Sequence, residues 1–174
     1  MDIAADIFEK TMTWLGNNYG NYKFFTERDI VWTVQTSIIK IIETKKLPYR
    51  IFQEFPILYS NSKRSYTDLA ILDKKDMVKV AIEFKYESSH KRNDVWPAKL
   101  PVVTWDKHGL GADIRRIKQY VLEGAAETAY SIFIDEGGHF RKRNPYPGSK
   151  WIDWELKDAM LSKVSVHWSK AWIE

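Results

Sequence analysis

Two β-prone segments separated by four residues constrain the fold of this 174-residue chain more than any other feature of its sequence. Residues 66–73 and 78–87 are rich in β-branched, aromatic and other apolar side chains, and residues 74–77 have the length of a hairpin turn. Side chains alternate along a strand, so Glu83 and Lys85 share one face while the apolar residues between and before them occupy the other. The sequence therefore predicts a β-hairpin with charged groups on one of its faces.

Apolar residues at steps of three and four predict the helices. They place one helix over residues 1–22, a second over 27–44 with Thr26 as its N-cap, and a third over 111–123. A short helix is expected over residues 151–161.

The remaining strands are predicted from β-prone or continuously apolar runs. Residues 50–59 precede the hairpin, and Pro56 puts this strand at a sheet edge or near its own end. Residues 128–135 form an apolar run suited to a buried strand, and 164–168 a last strand. The order helix, three strands, helix, strand predicts an α/β fold with a central mixed sheet flanked by helices. The chain shows no internal repeat or linker, so residues 1–174 are expected to form one domain.

Composition limits the classes of function. The chain has no cysteine, which excludes disulfides and thiolate metal sites. Its net charge of +4 and pI near 9.1 fit a polyanionic partner. We find no secretory signal and no apolar run of membrane-spanning length, so a cytoplasmic protein without membrane contact is expected. The sequence leaves a homodimer open.

The hairpin register brings acidic groups together. A turn centred on residues 74–77 sets Asp73 opposite Val78 and, in the same register, Asp68 opposite Glu83. Opposed residues project to the same side of a sheet, with Cβ atoms about 5 Å apart. We therefore expect Asp68, Glu83 and Lys85 to converge on one patch.

This convergence favours a metal-dependent reaction. Two carboxylates at such a distance repel each other unless a cation lies between them. Mg²⁺, or Mn²⁺ in its place, takes oxygen ligands of this kind, and a metal so placed can polarise a phosphodiester and activate water. Lys85 can hold the attacking water or neutralise charge that develops on the phosphate. A surface Glu-Lys pair on a solvated sheet face is the alternative interpretation.

The same residues resemble a known signature. Asp68 in Thr-Asp-Leu-Ala-Ile-Leu and Glu83-Phe-Lys85 in Val-Ala-Ile-Glu-Phe-Lys are similar to the Asp…Glu-x-Lys motif of the PD-(D/E)xK, or restriction-endonuclease-like, nuclease superfamily. The resemblance covers about residues 27–135, and the expected order of elements agrees with that superfamily's core. Thr67 stands where the motif often has proline. The resemblance implies Asp68 and Glu83 as metal ligands, Lys85 as the catalytic lysine, and Mg²⁺-dependent endonuclease activity on DNA.

Glu27 is a further candidate for the catalytic site. It lies one turn before Ile30, on the side of the helix that can face the sheet. Many members of the superfamily place a glutamate from this helix near the metal. The alternative is an acid that only stabilises the helix N-terminus.

Cations on the third helix and in two loops are candidate phosphate contacts. The alternative for all of them is a solvated surface. The long segment 88–109, with two prolines and several aromatic and basic side chains, predicts a flap that contacts substrate. The candidates are the lysines and arginines Arg115, Arg116, Lys118, Lys91, Arg92 and Arg141–Lys142–Arg143, together with the histidine His90.

Two rival functions remain open at this point. The first is a nucleic-acid-binding module of the same fold without catalytic activity, although intact Asp68, Glu83 and Lys85 argue against it. The second is a metal-free acid/base hydrolase such as a glycosidase. A lysine beside both carboxylates disfavours that reading, because it would hold both acids ionised where one must act as a general acid. The sequence does not separate DNA from RNA as the substrate.

Overall fold

The computed structural model describes residues 2–59, 63–92, 103–157 and 161–172, and shows an α/β fold with a six-stranded mixed sheet. The described part of the chain forms three α-helices, which are α1 (Ile3–Asn18), α2 (Glu27–Thr44) and α3 (Leu110–Leu122). The strands are β1 (Arg50–Tyr59), β2 (Lys63–Leu72), β3 (Val78–Glu87), β4 (Thr128–Asp135), β5 (Ser149–Glu155) and β6 (Lys163–Trp172). Within this described part, none of the helices has the length and apolar character needed to cross a membrane.

The sheet has the strand order β1-β2-β3-β4-β6-β5, and only the β3–β4 pair is parallel. Helix α3 connects these two parallel strands, whereas the antiparallel neighbours β1, β2 and β3 follow one another along the chain. From Glu27 to Asp135 the predicted order of helix, three strands, helix and strand is confirmed. Strand β1, which contains Pro56, lies at a sheet edge as that proline indicated.

The hairpin register is confirmed in the sheet interior and wrong at the turn. Leu69 pairs with Ile82 and Ala70 with Ala81, as the predicted register requires. Near the turn, Val78 pairs with Leu72 rather than Asp73, because the register shifts between Ile71 and Leu72. The Asp73 carboxylate instead accepts hydrogen bonds from the amides of Lys75 and Met77, at 2.8 and 3.0 Å.

Helices cover both faces of the sheet. Helices α1 and α2 pack with the apolar face of β2, β3 and β4 around the main core, which includes Phe8, Ile38 and Phe84. Helix α3 packs on the opposite face, where Ile117 and Tyr120 meet Ala81 and Ala129. The face of β3 that carries Glu83 and Lys85 is therefore the α3 face, and it is largely withdrawn from solvent.

The ends of helices α2 and α1 can be compared with the ends predicted from the sequence. The predicted helix at 27–44 is confirmed as α2, with Thr26 as its N-cap and the Asp29 carboxylate accepting the Thr26 amide at 2.8 Å. The predicted helix at 1–22 ends earlier, at Asn18, and continues as a 3-10 turn over Tyr19–Asn21.

The predicted short helix at 151–161 is wrong. Residues Ser149–Glu155 form strand β5, an edge strand that pairs with β6. Trp151 and Trp154 are three positions apart, which imitates one side of a helix. They pack on opposite faces of the sheet, with Trp151 against Phe133 on the α3 side and Trp154 against Tyr19 on the α1 side. The last strand is confirmed but runs longer than expected, over Lys163–Trp172.

Candidate active site

The centre of the candidate site is the Glu83 carboxylate on β3. Only 2% of Glu83 is exposed, because helix α3 covers this part of the sheet. Arg116 of α3 donates from Nη1 to Oε2 of Glu83 at 2.9 Å, and the Tyr120 hydroxyl donates to Oε1 at 3.0 Å. The same hydroxyl lies 3.1 Å from Oγ of Ser65 in β2. Both oxygens of Glu83 are therefore held by partners from the covering helix.

Asp68 lies beside Glu83 on strand β2. Its Oδ2 atom accepts a hydrogen bond from the backbone amide of Phe84 at 2.6 Å, which ties the carboxylate to the strand that carries Glu83. Burial raises the pKa of Asp68 above its ordinary value, although the Phe84 amide and the charge of Lys85 oppose the rise. Burial first, and then the negative charge of Asp68, raise the pKa of Glu83 to about 8, against the opposing effect of Arg116. Glu83 therefore holds a proton near neutral pH, which corrects the expectation from the sequence that Lys85 keeps both acids ionised.

Lys85 joins the site from the same face of β3. Its Nζ atom lies 3.5 Å from Oδ2 of Asp113 in α3 and 3.6 Å from Oε2 of Glu27 at the start of α2, and it donates to the Phe84 carbonyl at 3.0 Å. Burial alone would lower the pKa of Lys85, but Asp113, Glu27 and the other carboxylates outweigh it and raise the pKa. The ammonium is therefore a fixed positive charge across the neutral pH range.

Glu27 is half-buried, and its carboxylate lies next to Lys85 of the sheet. Burial, with smaller contributions from the negative charges of Asp68 and Asp113, raises the pKa of Glu27 to about 7, although Lys85 opposes this. The structure thus brings together all four of the residues proposed as catalytic from the sequence: Glu27, Asp68, Glu83 and Lys85.

Acids outnumber cations in this group. The carboxylates belong to Glu27, Asp68, Glu83 and Asp113, whereas Lys85 and Arg116 are their positive partners. With every group ionised, the site carries an excess of two negative charges. Burial is the largest cause of the raised pKa of each of these acids, and the negative charges of neighbouring acids add to it for Glu27, Asp68 and Glu83. A proton or a further cation relieves the excess of negative charge.

The donor set fits a hard divalent ion in its chemistry. All four acids offer carboxylate oxygens, which Mg²⁺ and Mn²⁺ prefer. Among the described residues, Oδ2 of Asp113 is buried with an ion pair to Lys85 at 3.5 Å and no hydrogen bond. In the described residues, however, no group of three or more His, Cys, Asp or Glu side chains is arranged to hold a metal ion. Arg116 and Lys85 lie against these carboxylates instead.

Two of the predicted phosphate contacts lie on the exposed side of α3. Arg115 donates to the carbonyl of Lys107, and Lys118 to that of Pro147 at 3.4 Å. Both side chains are exposed, and neither pairs with a carboxylate among the described residues. Arg116, grouped with them from the sequence, turns inward to Glu83 and Asp113. One step along a helix rotates a side chain by about 100 degrees, which explains the difference.

The basic residues that follow β3 also divide into exposed and buried side chains. His90 and Lys91 are exposed, and His90 lies 3.6 Å from the Glu87 carboxylate. Arg92 is only 7% exposed and donates to the Phe24 carbonyl at 2.6 Å and to Glu136 at 3.1 Å. Its placement corrects the prediction of a phosphate contact, because the guanidinium is enclosed by the α1–α2 side of the protein. The middle of the predicted substrate flap, residues 93–102 of 88–109, lies outside the described residues.

Sequence reasoning missed three contributors from α3: Asp113, the inward role of Arg116, and Tyr120 at Glu83. These residues are spaced by three and four positions and so share one side of the helix. That side also carries Ile117, which packs on the sheet. Polar residues interrupting the apolar stripe of a helix were the available signal, but their partner strand could not be known without the fold.

Comparison with protein-family models, curated proteins and solved structures found no match to this chain.

Proposed function

We propose that this protein is a divalent-metal-dependent nuclease that hydrolyses phosphodiester bonds of DNA, with a fold of the restriction-endonuclease-like type. The observation that carries the proposal is the convergence of Asp68, Glu83 and Lys85 on two adjacent strands, in a site with more acids than cations. The element order from α2 to β4, with its parallel β3–β4 pair, agrees with the fold that the signature implies.

Each residue has a role that its position supports. Asp68 and Glu83 would hold Mg²⁺ or Mn²⁺, which when bound supplies a Lewis acid and lowers the pKa of water. Lys85 is kept charged by Asp113 and Glu27, and its ammonium can orient the attacking water or stabilise the charge that grows on the phosphate. Arg116 and Tyr120 fix the Glu83 carboxylate. Arg115 and Lys118, which are exposed on α3, would contact the phosphate backbone.

The test is cleavage of defined substrates. The protein is incubated with single-stranded, duplex and branched DNA, and with RNA, in the presence of Mg²⁺, Mn²⁺ or EDTA. We expect cleavage with either metal and none with EDTA. A protein that cleaves none of these substrates with either metal, or cleaves equally well in EDTA, is not the proposed enzyme.

The ion pairing of the site favours one second candidate. Arg116 already neutralises Glu83, and no group of acids among the described side chains is arranged to hold a metal ion. Both features fit a nucleic-acid-binding module of the same fold that has no catalytic activity. Calorimetric titration with Mg²⁺ separates the two. A nuclease binds the ion in a manner that depends on Asp68, whereas the inactive module gives no such heat.

A further inference from the structure

A row of side chains crosses the sheet from the candidate site to its far edge. Lys85 is in register with Phe133 of β4, Phe133 with His167 of β6, and His167 with Trp151 of β5. Opposed residues on neighbouring strands project to the same face, so all four lie on the α3 side. At about 4.8 Å per strand, the row spans about 14 Å. Lys85 and Trp151 therefore lie on the same face of the sheet, about 14 Å apart, with the fully buried Phe133 and His167 between them.

Trp151 belongs to a group of nearly parallel aromatic rings, which we call the aromatic stack: Trp105, Phe140, Tyr146 and Trp151. Trp105 is inclined by 13° to both Phe140 and Trp151, with ring centroids 6.0 and 5.7 Å apart. Tyr146 is inclined by 25° to Trp105 at 5.4 Å. All four residues are half-buried, so the stack lies at the surface of the protein rather than in its core.

Arg143 adds a fixed positive charge to the stack. Its guanidinium carbon lies 5.8 Å from the ring centre of Trp105 and 5.4 Å from that of Phe140. The Arg143 carbonyl accepts a hydrogen bond from the Trp151 indole at 2.9 Å, which holds the loop in place. Arg143 is exposed and meets no carboxylate in the described part of the chain. Arg141, by contrast, is neutralised by Asp153 at 3.0 Å.

More uncompensated cations surround the stack and the adjoining side of α3. Arg115 and Lys118 contact backbone carbonyls of the segments that enclose the stack. Four exposed cations in this region form no ion pair within the described ranges: Lys107, Arg115, Lys118 and Lys142. Together with Arg143 they give this region five exposed cations, whereas Asp106 is an exposed acid beside Lys107.

We propose that the aromatic stack and Arg143 bind unpaired nucleotides that flank the phosphodiester held at Lys85, so that the substrate is single-stranded or has a single-stranded end. This inference rests on the proposed function and names its substrate class. Aromatic and guanidinium faces stack on bases only when those bases are not already paired and stacked in a duplex. The surrounding cations follow the phosphates of the same strand. A closed duplex could use the cations but not the ring faces.

The test measures binding separately from cleavage. The full chain with Lys85→Ala is titrated, in EDTA, into a fluorescein-labelled oligothymidine strand and into the same strand annealed to its complement, and fluorescence anisotropy is recorded. We expect tighter binding of the single strand at equal salt. Adding Arg143→Ala should weaken single-strand binding about tenfold, the loss expected for one stacking contact. Arg143→Lys should recover only part of that loss, because it restores the charge without the planar group.

Lys40→Ala is the matched control, because Lys40 is an exposed cation on α2, on the opposite side of the sheet. It should leave binding unchanged. Tighter binding of the duplex, or equal effects of Arg143→Ala and Lys40→Ala, would overturn the inference. Single-strand binding that needs Arg143, in a protein that cleaves no substrate with metal, upholds this inference and refutes the proposed function. Metal-dependent cleavage that is unchanged by Arg143→Ala, and that is equally fast on single-stranded and duplex DNA, upholds the proposed function and refutes this inference.

Discussion

Nη1 of Arg116 lies 2.9 Å from Oε2 of Glu83, so a cation from helix α3 compensates a carboxylate that is only 2% exposed in the sheet. The pair connects two layers of the fold at the candidate site. Glu83 also keeps a raised pKa, of about 8, because burial outweighs this partner. The contribution of the pair to stability must therefore depend on pH.

Arg116→Ala should destabilise the protein more in alkali than in weak acid. Arg116 opposes the rise in the pKa of Glu83, so in the variant that pKa rises further. At about pH 9 the variant must therefore either keep a buried charge without its cation or hold a proton against the pH, and we expect a loss of about 2 kcal/mol in the free energy of unfolding. This is below the usual cost of breaking a fully buried pair because Arg116 is partly exposed. Near pH 6 Glu83 is protonated in both folded proteins, so the loss should shrink. Urea unfolding at the two pH values measures this. Arg115→Ala, an exposed neighbour, should show little effect at either.

Gly16→Ala should destabilise the protein although alanine favours helices. A Cβ at Gly16 would lie 2.6 Å from the indole Nε1 of Trp154, which is too close for a rigid ring. Overpacking of this kind costs about 1–3 kcal/mol, against a gain of up to about 1 kcal/mol in helix propensity. Adding Trp154→Leu should remove most of the penalty, which a double-mutant cycle by chemical denaturation detects. An additive cycle would contradict the α1–β5 packing.

Elements whose ends or faces are marked by nearby residues could be predicted from the sequence. Helix α2 has a capping residue at Thr26 and a proline shortly after its end, and strand β3 alternates around Glu83 and Lys85, so both were predictable from the sequence. Strand β5 was not, because its tryptophans mimic helical spacing and only pairing with β6 decides its conformation. The register shift beside Leu72 was not predicted either, and there the Asp73 carboxylate accepts the turn amides of Lys75 and Met77.

The candidate site was predictable where it depends on the hairpin alone. Asp68, Glu83 and Lys85 follow from register, and the structure places them together. Asp113 comes from a helix 30 residues after Glu83 in the sequence, and its approach to Lys85 exists only once α3 packs on the sheet. Arg92 and Arg116 look like their exposed neighbours in sequence. Burial against Glu136 and Glu83 distinguishes them, and that is a property of the folded chain.

Binding of Mg²⁺ should strengthen as pH rises from about 6 to above 8. Glu27 and Glu83 have pKa values raised to about 7 and about 8, so at pH 6 both hold protons that a metal must displace. Above both values the carboxylates are ionised and affinity should level off. Calorimetry near pH 7 in two buffers with different ionisation enthalpies should report proton release on binding. Glu27→Gln should reduce the number of protons released, and an affinity that is constant across this range would count against a metal at these acids.

Substitutions of the three signature residues should separate binding from turnover. Asp68→Ala and Glu83→Ala should abolish both Mg²⁺ binding and cleavage, because each removes ligand oxygens. Lys85→Ala should still bind the metal, since the acids remain and a nearby positive charge is lost. Its turnover should fall at least about a hundredfold, as for loss of a charge-stabilising group worth about 3 kcal/mol. Cleavage by Lys85→Ala at the wild-type rate would refute the mechanism.

Asp113→Asn should move the pH dependence of cleavage as well as its rate. Asp113 lies 3.5 Å from Lys85 and is among the charges that raise the pKa of Lys85, Glu27 and Glu83. Removing its charge lowers all three pKa values. The acidic limb, where Glu27 and Glu83 become protonated, and the alkaline limb, where Lys85 loses its proton, should therefore both shift to lower pH.

The shift of both limbs identifies a positioning role that a packing defect would not reproduce. Burial raises the pKa of the acids and opposes that of Lys85, so a variant that merely loosened α3 would reduce burial and its two limbs should move apart rather than both to lower pH. Glu123→Gln is the control, because Glu123 is an exposed acid at the end of the same helix and away from Lys85. It should leave the profile of kcat against pH unchanged. If Asp113→Asn also left both limbs in place, Asp113 would be a structural partner of Arg116 rather than a residue that sets the charge state of the site.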